Sequence, residues 1–321
     1  MQLVDGRLLF SPSDLNNHLE CEHLTRLELA VARGDLARPA IDNPTADFIA
    51  RKGEEHEAAY LAGLEVEGHK VRTIEFAFDW AAAAAATEEA VRDGADVIYQ
   101  ACFVDDGWRG FADFLLRQPD GTYEVADTKL ARHPKPYHVL QLCFYSEQVG
   151  RVQGSEPAWM HLALGSGHTE AYRPADFAAY YRRVRSRFLA FAGAESPTEP
   201  YPVAHCSLCA FKPRCDAQWD RVDHLVRVAR IRRDQIARLV EAGITTLEGL
   251  GLADPEFRVS RMPPSTFEAL RDQASLQLHH RRTGRLAYHL LEPGTDLRLV
   301  VKVENKEASL GEAELDVVRQ W

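Results

Sequence analysis

Three runs rich in β-branched and aromatic residues follow one another between residues 96 and 130: DVIYQACFV, GFADFLLR and YEVADTKL. Only DDGWR and QPDGT separate them. Asp-Gly pairs suit tight hairpins, and connections this short cannot hold a crossover helix. An antiparallel meander is therefore expected at the centre of the chain. On either side the apolar period changes to that of helices. PTADFIARKGEEHEAAYLAGL and DWAAAAAATEEAVRDG precede the meander; KPYHVLQLCFYSEQVG and PADFAAYYRRVRSRFLAFAG, started by Pro174, follow it. AWMHLALG, between the last two, reads as a further strand. SPSDLNNHLECEHLTRLELAVARG, near the start, reads as one helix running through Cys21 to about Gly34. The class expected is α/β, a mixed sheet flanked by helices.

The meander carries the first chemistry. Asp127 and Lys129 are two apart on a strand, so both side chains leave the same face. Asp113, on the strand before, is a cross-strand neighbour. Two carboxylates beside a lysine can hold a divalent cation, activate a water and stabilise charge on a phosphate under attack. Alone, such a triplet is most often a surface ion pair. The order of parts around it raises the reading. His56 lies upstream on a helix, and Gln141 and Tyr145, four apart, share one face of the helix that follows.

Together, His56, Gly110 with Asp113, Asp127 with Lys129, and Gln141 with Tyr145 resemble the RecB-like branch of the PD-(D/E)xK nucleases, the group of the Cas4 and AddB nucleases and of the Dna2 nuclease domain. The resemblance implies a restriction-endonuclease-like core. It implies that His56, Asp113, Asp127 and the backbone carbonyl of Thr128 bind Mg²⁺ or Mn²⁺. Lys129 would orient the water, and Gln141 and Tyr145 would position the DNA strand and the lysine. Many members carry Glu where this chain has Asp127, whose reach is shorter.

Cysteine usage raises a second question. HCSLCAFKPRCDAQW places Cys206, Cys209 and Cys215 in a C-x2-C-x5-C spacing, three thiolates from one loop. A tetrahedral zinc or a four-iron cluster takes one more ligand, for which His205 and Cys21 are the candidates. In the nucleases just named, one N-terminal and three C-terminal cysteines at this spacing hold a 4Fe-4S cluster. The resemblance therefore implies that Cys21, Cys206, Cys209 and Cys215 staple the two ends of the domain, with zinc on the same residues as the alternative. Cys102 and Cys143 lie in apolar stretches and read as core residues.

A formal charge of −10 argues against a general polyanion binder. Local charge differs: Arg182 and Arg183, with Arg185 and Arg187, form one cluster, and Arg230, Arg232 and Arg233 belong to a second between Arg221 and Arg238. These are the candidate DNA contacts, each as readily a solvated helix face. Beyond the cysteines, IRRDQIARLVEAGITTLEGLG reads as a helix, a glycine turn and a second helix, similar to a degenerate helix-hairpin-helix. PSTFEALRDQASLQLHHRR is another helix, and one or two short strands are expected after Thr283. The expected organisation is a nuclease domain over 1–220, a helical module over 221–282 and a tail over 283–321.

The N-terminal stretch and AGITTLEGLG also resemble RecB-family nucleases labelled by a Thermotoga member, whose longer chains continue into RNase H-like and helicase domains. That implies a helicase as a partner. No signal peptide and no apolar run long enough to span a bilayer is evident, so a cytoplasmic protein without a membrane partner is expected. The function expected is a metal-dependent DNA nuclease acting on single strands or ends. The alternatives are a non-catalytic DNA-binding scaffold for a helicase and a zinc-stapled interaction protein.

Overall fold

A computed structural model of the chain describes residues 1–4, 6–40, 44–194 and 196–288. It divides into two compact units, Met1–Cys215 and Asp216–Trp321.

The first unit opens with a two-stranded ribbon, β1 (Gln2–Val4) and β2 (Arg7–Leu9), followed by α1 (Pro12–Glu20) and α2 (Glu22–Arg33). The single helix expected through Cys21 is thus two helices. Cys21 has extended backbone, φ −159° and ψ 107°, and caps α2 by accepting the Leu24 N–H on its sulfur at 3.4 Å. An acceptor at the N-cap compensates for the missing intrahelical partner. The apolar period continues on both sides of the break, so the pattern alone does not show it.

Next come α3 (Pro44–Val66), β3 (Val71–Thr73), α4 (Trp80–Asp93), β4 (Val97–Asp105), β5 (Trp108–Arg117) and β6 (Tyr123–Lys129). The unit continues with α5 (Pro136–Gln153), β7 (Met160–Leu164), β8 (Thr169–Tyr172) and α6 (Pro174–Gly193). The six strands from β3 to β8 form one sheet in chain order. β4, β5 and β6 are the antiparallel meander, turned between β4 and β5 by Asp106 and Gly107, both with positive φ. β3 joins β4, and β7 joins β6, in parallel, so the sheet is mixed. The short strands β1, β2, β3 and β8 carry too few residues for a period of two to declare itself.

Alternation along the central strands separates two faces. Val97, Phe114 and Ala126 pack with Tyr60, Leu61 and Leu64 of α3. Their chain neighbours Ile98, Leu115 and Val125 belong to the larger core, shared with side chains of α1, α4, α5 and α6. The alanine-rich helix α4 does more than favour helix: Ala83 and Ala90 are buried, and Thr87 Oγ1 accepts the Cys102 N–H of β4 at 2.9 Å.

A helix, α7 (Lys212–Arg221), runs across the division between the units. The second unit contains α8 (Arg233–Glu241), α9 (Leu247–Gly251) and α10 (Pro264–Thr283), packed over Leu239, Leu247, Leu250 and Phe267. Gly243 makes the expected turn with φ 88°. Its N–H goes to the Val240 carbonyl, those of Leu247 and Glu248 go to Asp223, and that of Gly249 goes to Thr246 Oγ1. These amides of the hairpin are committed within the module. The strands expected after Thr283 fall mostly outside the described residues.

Candidate active site

β5 and β6 pair from Phe114↔Ala126 to Arg117↔Tyr123. One step beyond the Phe114↔Ala126 end, the same register sets Asp113 opposite Asp127. The two carboxylates therefore sit where the strands part. There, Asp113 Oδ2 accepts the Thr128 N–H at 2.9 Å and the Thr128 hydroxyl at 3.1 Å. Lys129 Nζ lies 2.5 Å from Asp127 Oδ2, and Gln141 Nε2 donates to Asp127 Oδ1 at 3.3 Å. The backbone behind the lysine is closed by Gly165, whose N–H donates to the Lys129 carbonyl at 2.8 Å. A Cβ at Gly165 would collide with the Leu130 carbonyl oxygen, so only glycine lets the chain after β7 approach this closely.

Asp127 is 1% exposed. Burial pushes its carboxyl up to about 7; Lys129 opposes that shift and Asp113 adds to it. Burial would lower the Lys129 ammonium, but Asp127, Asp113 and Glu57 outweigh it and raise it above its ordinary value. One ammonium is thus shared among three carboxylates. That donor set fits a divalent cation, which would relieve the buried repulsion. Among the described residues, no three His, Cys, Asp or Glu groups converge closely enough to enclose a metal ion by themselves.

Helix α3 brings two neighbours to this place. His56 Nε2 faces the Ala163 carbonyl at 3.3 Å, and Ala163 is the register partner of Thr128. Glu57 is the residue whose charge acts on Asp113 and Lys129, and the sequence reading did not single it out. Burial, then Asp113, raises its carboxyl, against hydrogen bonds from Tyr99 and Gln100. Gln100 adopts a left-handed φ of 56° within β4 and donates its side-chain amide to Glu57. A glutamate directly after the histidine was the available signal. A helix turns about 100° per residue, so only the packing of α3 decides which side chain faces the carboxylates.

Tyr145 is 4% exposed. Burial, then Asp127 and Asp113, hold its phenol well above the ordinary value, so it stays protonated. Its hydroxyl occupies the space over Gly110: a Cβ there would stand 2.7 Å from that oxygen and 3.3 Å from Pro12 Cδ. Gly110→Ala is expected to cost about 1–3 kcal/mol by overpacking. The double variant with Tyr145→Phe should recover most of it, as thermal or urea unfolding would show; no recovery would place the strain elsewhere.

His138, buried at the start of α5, accepts the Lys135 N–H on Nδ1 at 3.3 Å. Burial, then Lys129 and Lys135, pull its pKa down to about 4. Because the folded value lies below the ordinary 6.5, the neutral ring contributes stability above pH 6.5 that is lost as pH falls through about 4. The full gap corresponds to about 3 kcal/mol. His138→Gln should move acid unfolding to lower pH, measured by circular dichroism against pH.

None of the six cysteines forms a disulfide. Cys21 and Cys209 each feel the charge of Cys206, and Cys209 also that of Cys21. The structure thus brings these three into one region from opposite ends of the first unit. Cys21, Cys209 and Ala210 flank a small core of Leu24, Leu27 and Phe211. His23 Nδ1 lies 2.8 Å from Thr198 Oγ1, 175 positions away, and Arg26 donates to the carbonyls of Phe191 and Ala194. Cys206 Sγ accepts the Val203 N–H at 3.4 Å. Cys215 follows on α7, its N–H bonded to the Phe211 carbonyl. His205 sits beside Cys206 in a short 3₁₀ turn, and Cys102 and Cys143 are buried in the main core as expected.

Of the arginines, Arg182 and Arg183 are exposed on α6. Arg230, Arg232 and Arg233 are exposed in the second unit, with Arg232 Nε 3.1 Å from Asp234. No helix among the described residues is long and apolar enough to cross a membrane.

The middle strands of this mixed sheet thus part around two carboxylates and a lysine. The chain belongs to the PD-(D/E)XK nuclease superfamily: the family model matches residues 8–216. Members of that superfamily are generally nucleases that use Mg²⁺ or Mn²⁺ and act on DNA. A solved structure described as the crystal structure of SSO0001 is similar at 17% identity, covering 67% of this chain and 88% of that one, with a TM-score of 0.35. No curated protein matches.

Proposed function

We propose that this chain is a RecB-like member of the superfamily that hydrolyses phosphodiester bonds in single-stranded DNA or at DNA ends. The observation that supports it is the buried Asp127 beside Asp113 and Lys129 at the opening of the meander. Asp113, Asp127 and the Thr128 carbonyl would hold the divalent ion, with His56 or Glu57 supplied by α3. The ion would supply Lewis-acid stabilisation and a more acidic water. Lys129 would stabilise the developing negative charge, Gln141 would orient Asp127, and Tyr145 would buttress the strand through Gly110. The alternative of a non-catalytic scaffold leaves the burial of the Asp127 carboxyl beside Asp113 without a compensating use. The test is end-labelled single-stranded and duplex DNA incubated with anaerobically purified protein and Mn²⁺ or Mg²⁺. Cleavage with a product ladder is expected; a folded protein that cuts neither substrate in either metal overturns the reading.

The four cysteines are proposed to hold a 4Fe-4S cluster. Their support is that Cys21, Cys206 and Cys209 lie in one region, with backbone N–H groups bonded to the sulfurs of Cys21 and Cys206, a pattern that suits cluster thiolates. The cluster would serve as a staple, since thiolates some 185 positions apart close most of the first unit; zinc on the same residues would staple equally. The domain limits 1–220, 221–282 and 283–321, a helicase as partner and a cytoplasmic location belong to the same proposal. Arg182, Arg183, Arg230, Arg232 and Arg233 are its DNA contacts. Replacing Arg182 or Arg183 with Ala should weaken binding and reduce the slope of log affinity against log salt by about 1 each. Unchanged slopes in fluorescence anisotropy would remove them from the interface.

A further inference from the structure

Four aromatic rings cluster between β3, the start of α4 and β5. Phe76 lies 4.8 Å from Trp80, 5.1 Å from Phe111 and 5.7 Å from Phe78, centroid to centroid, and Trp80 lies 5.0 Å from Phe111. Arg109 stacks its guanidinium 4.3 Å from the Trp80 ring, held from behind by the side chain of Gln2. Phe76, Trp80 and Phe111 are half-buried, whereas Phe78 is 93% exposed.

Phe78 is unusual twice over. Its φ is 61°, a conformation costly for a bulky residue and maintained only where the surroundings impose it. It also stands just before Asp79, the N-cap of α4, where an apolar residue ordinarily staples onto the fourth helical position. Here that position, Ala83, is buried without it. The ring therefore serves neither the core nor the helix.

Position supplies the use. Phe111 precedes Asp113 by two residues on β5, about 7 Å along the strand. We infer that Phe78, with Phe76, Trp80 and Arg109, is a stacking platform for the bases of single-stranded DNA beside the carboxylate pair. This rests on the nuclease reading for the class of ligand. Flat aromatic faces accept any base, and the stacked guanidinium adds the positive charge a phosphate backbone requires. A duplex keeps its bases paired and offers no such face, so the platform would select unpaired strands.

Binding without cleavage tests this, using the full chain in EDTA and fluorescence anisotropy. The probes are an oligo-dT and an abasic oligonucleotide of equal length and charge. The wild type should prefer oligo-dT about tenfold or more, and Phe78→Ala should lower oligo-dT affinity about 5- to 100-fold and erase the preference. Phe78→Trp should retain it, and Val66→Ala, an equally exposed apolar side chain on α3, should change nothing. Equal binding of the two probes by the wild type, or wild-type affinity in Phe78→Ala, overturns the platform. A preference lost in Phe78→Ala from a protein that never cuts DNA keeps the platform and discards the nuclease. Normal cleavage with Phe78→Ala binding intact does the reverse, and a change confined to self-association would make the patch a protein interface instead.

Discussion

Lys129→Ala is expected to lower Mn²⁺-supported cleavage by about 10²- to 10³-fold or more, and Asp113→Ala by at least as much. Lys129 is the ammonium shared by Asp127, Asp113 and Glu57, and it stands 2.5 Å from a carboxylate that is 1% exposed. Without it, no charge opposes the burial, and the neighbouring Asp113, that already push Asp127 up to about 7. Asp127 would then hold its proton to higher pH, and proton and metal would compete for the same oxygens. Added metal should therefore recover little of the lost rate at pH 7. Lys129→Arg should not restore it, because a planar fork cannot replace a compact point charge in this space. Asp113→Ala acts differently, releasing the Thr128 N–H and hydroxyl that hold the fork of the two strands. Single-turnover assays on end-labelled single strands measure both. Either variant within fivefold of wild type would sink these roles.

The second large effect is expected at the cysteines. Cys206→Ser should leave an anaerobic preparation colourless and lower the stability of the first unit by about 5 kcal/mol, the scale for releasing a closed loop of this length. Cys21→Ser should do the same from the other end, because in the proposed staple both would tie the N-terminal helix pair to the segment around Phe211, against which Cys21 and Cys209 pack. Cys102→Ala should leave iron content unchanged, its side chain lying in the main core. Iron and sulfide analysis with anaerobic melting measures this. One zinc per chain in the wild type would replace iron with the zinc alternative. Unaltered metal content and melting in both serine variants would remove the staple altogether.

The meander was legible because its information is local. Asp106 and Gly107 are a turn by themselves, and the β-branched runs on either side need only their neighbours to pair. The same holds for α4, α5, α6 and α10, whose apolar periods and capping residues lie within each helix. Asp127, Lys129 and Asp113 followed from that register, since adjacent hairpin strands set their residues opposite one another. Local pattern was misleading where a single residue interrupts it: Cys21 leaves the helix while the apolar residues around it keep their spacing.

What the sequence by itself determined is therefore the central hairpins, the helices and the carboxylate–lysine triplet, because short-range sterics and side-chain periodicity suffice for each. Only the tertiary structure decided the rest. The packing of Tyr60, Leu61 and Leu64 against Phe114 and Ala126 rotates α3 so that Glu57 reaches the carboxylates while His56 turns to the Ala163 carbonyl. Burial, which depends on every layer at once, raised Asp127 and lowered His138. The docking of the residue 75–80 loop against β5 gathered Phe76, Trp80 and Phe111 and left Phe78 in solvent. A rotation, a depth of burial and a contact between distant segments are not properties of any one stretch of chain, and so no stretch of sequence displays them.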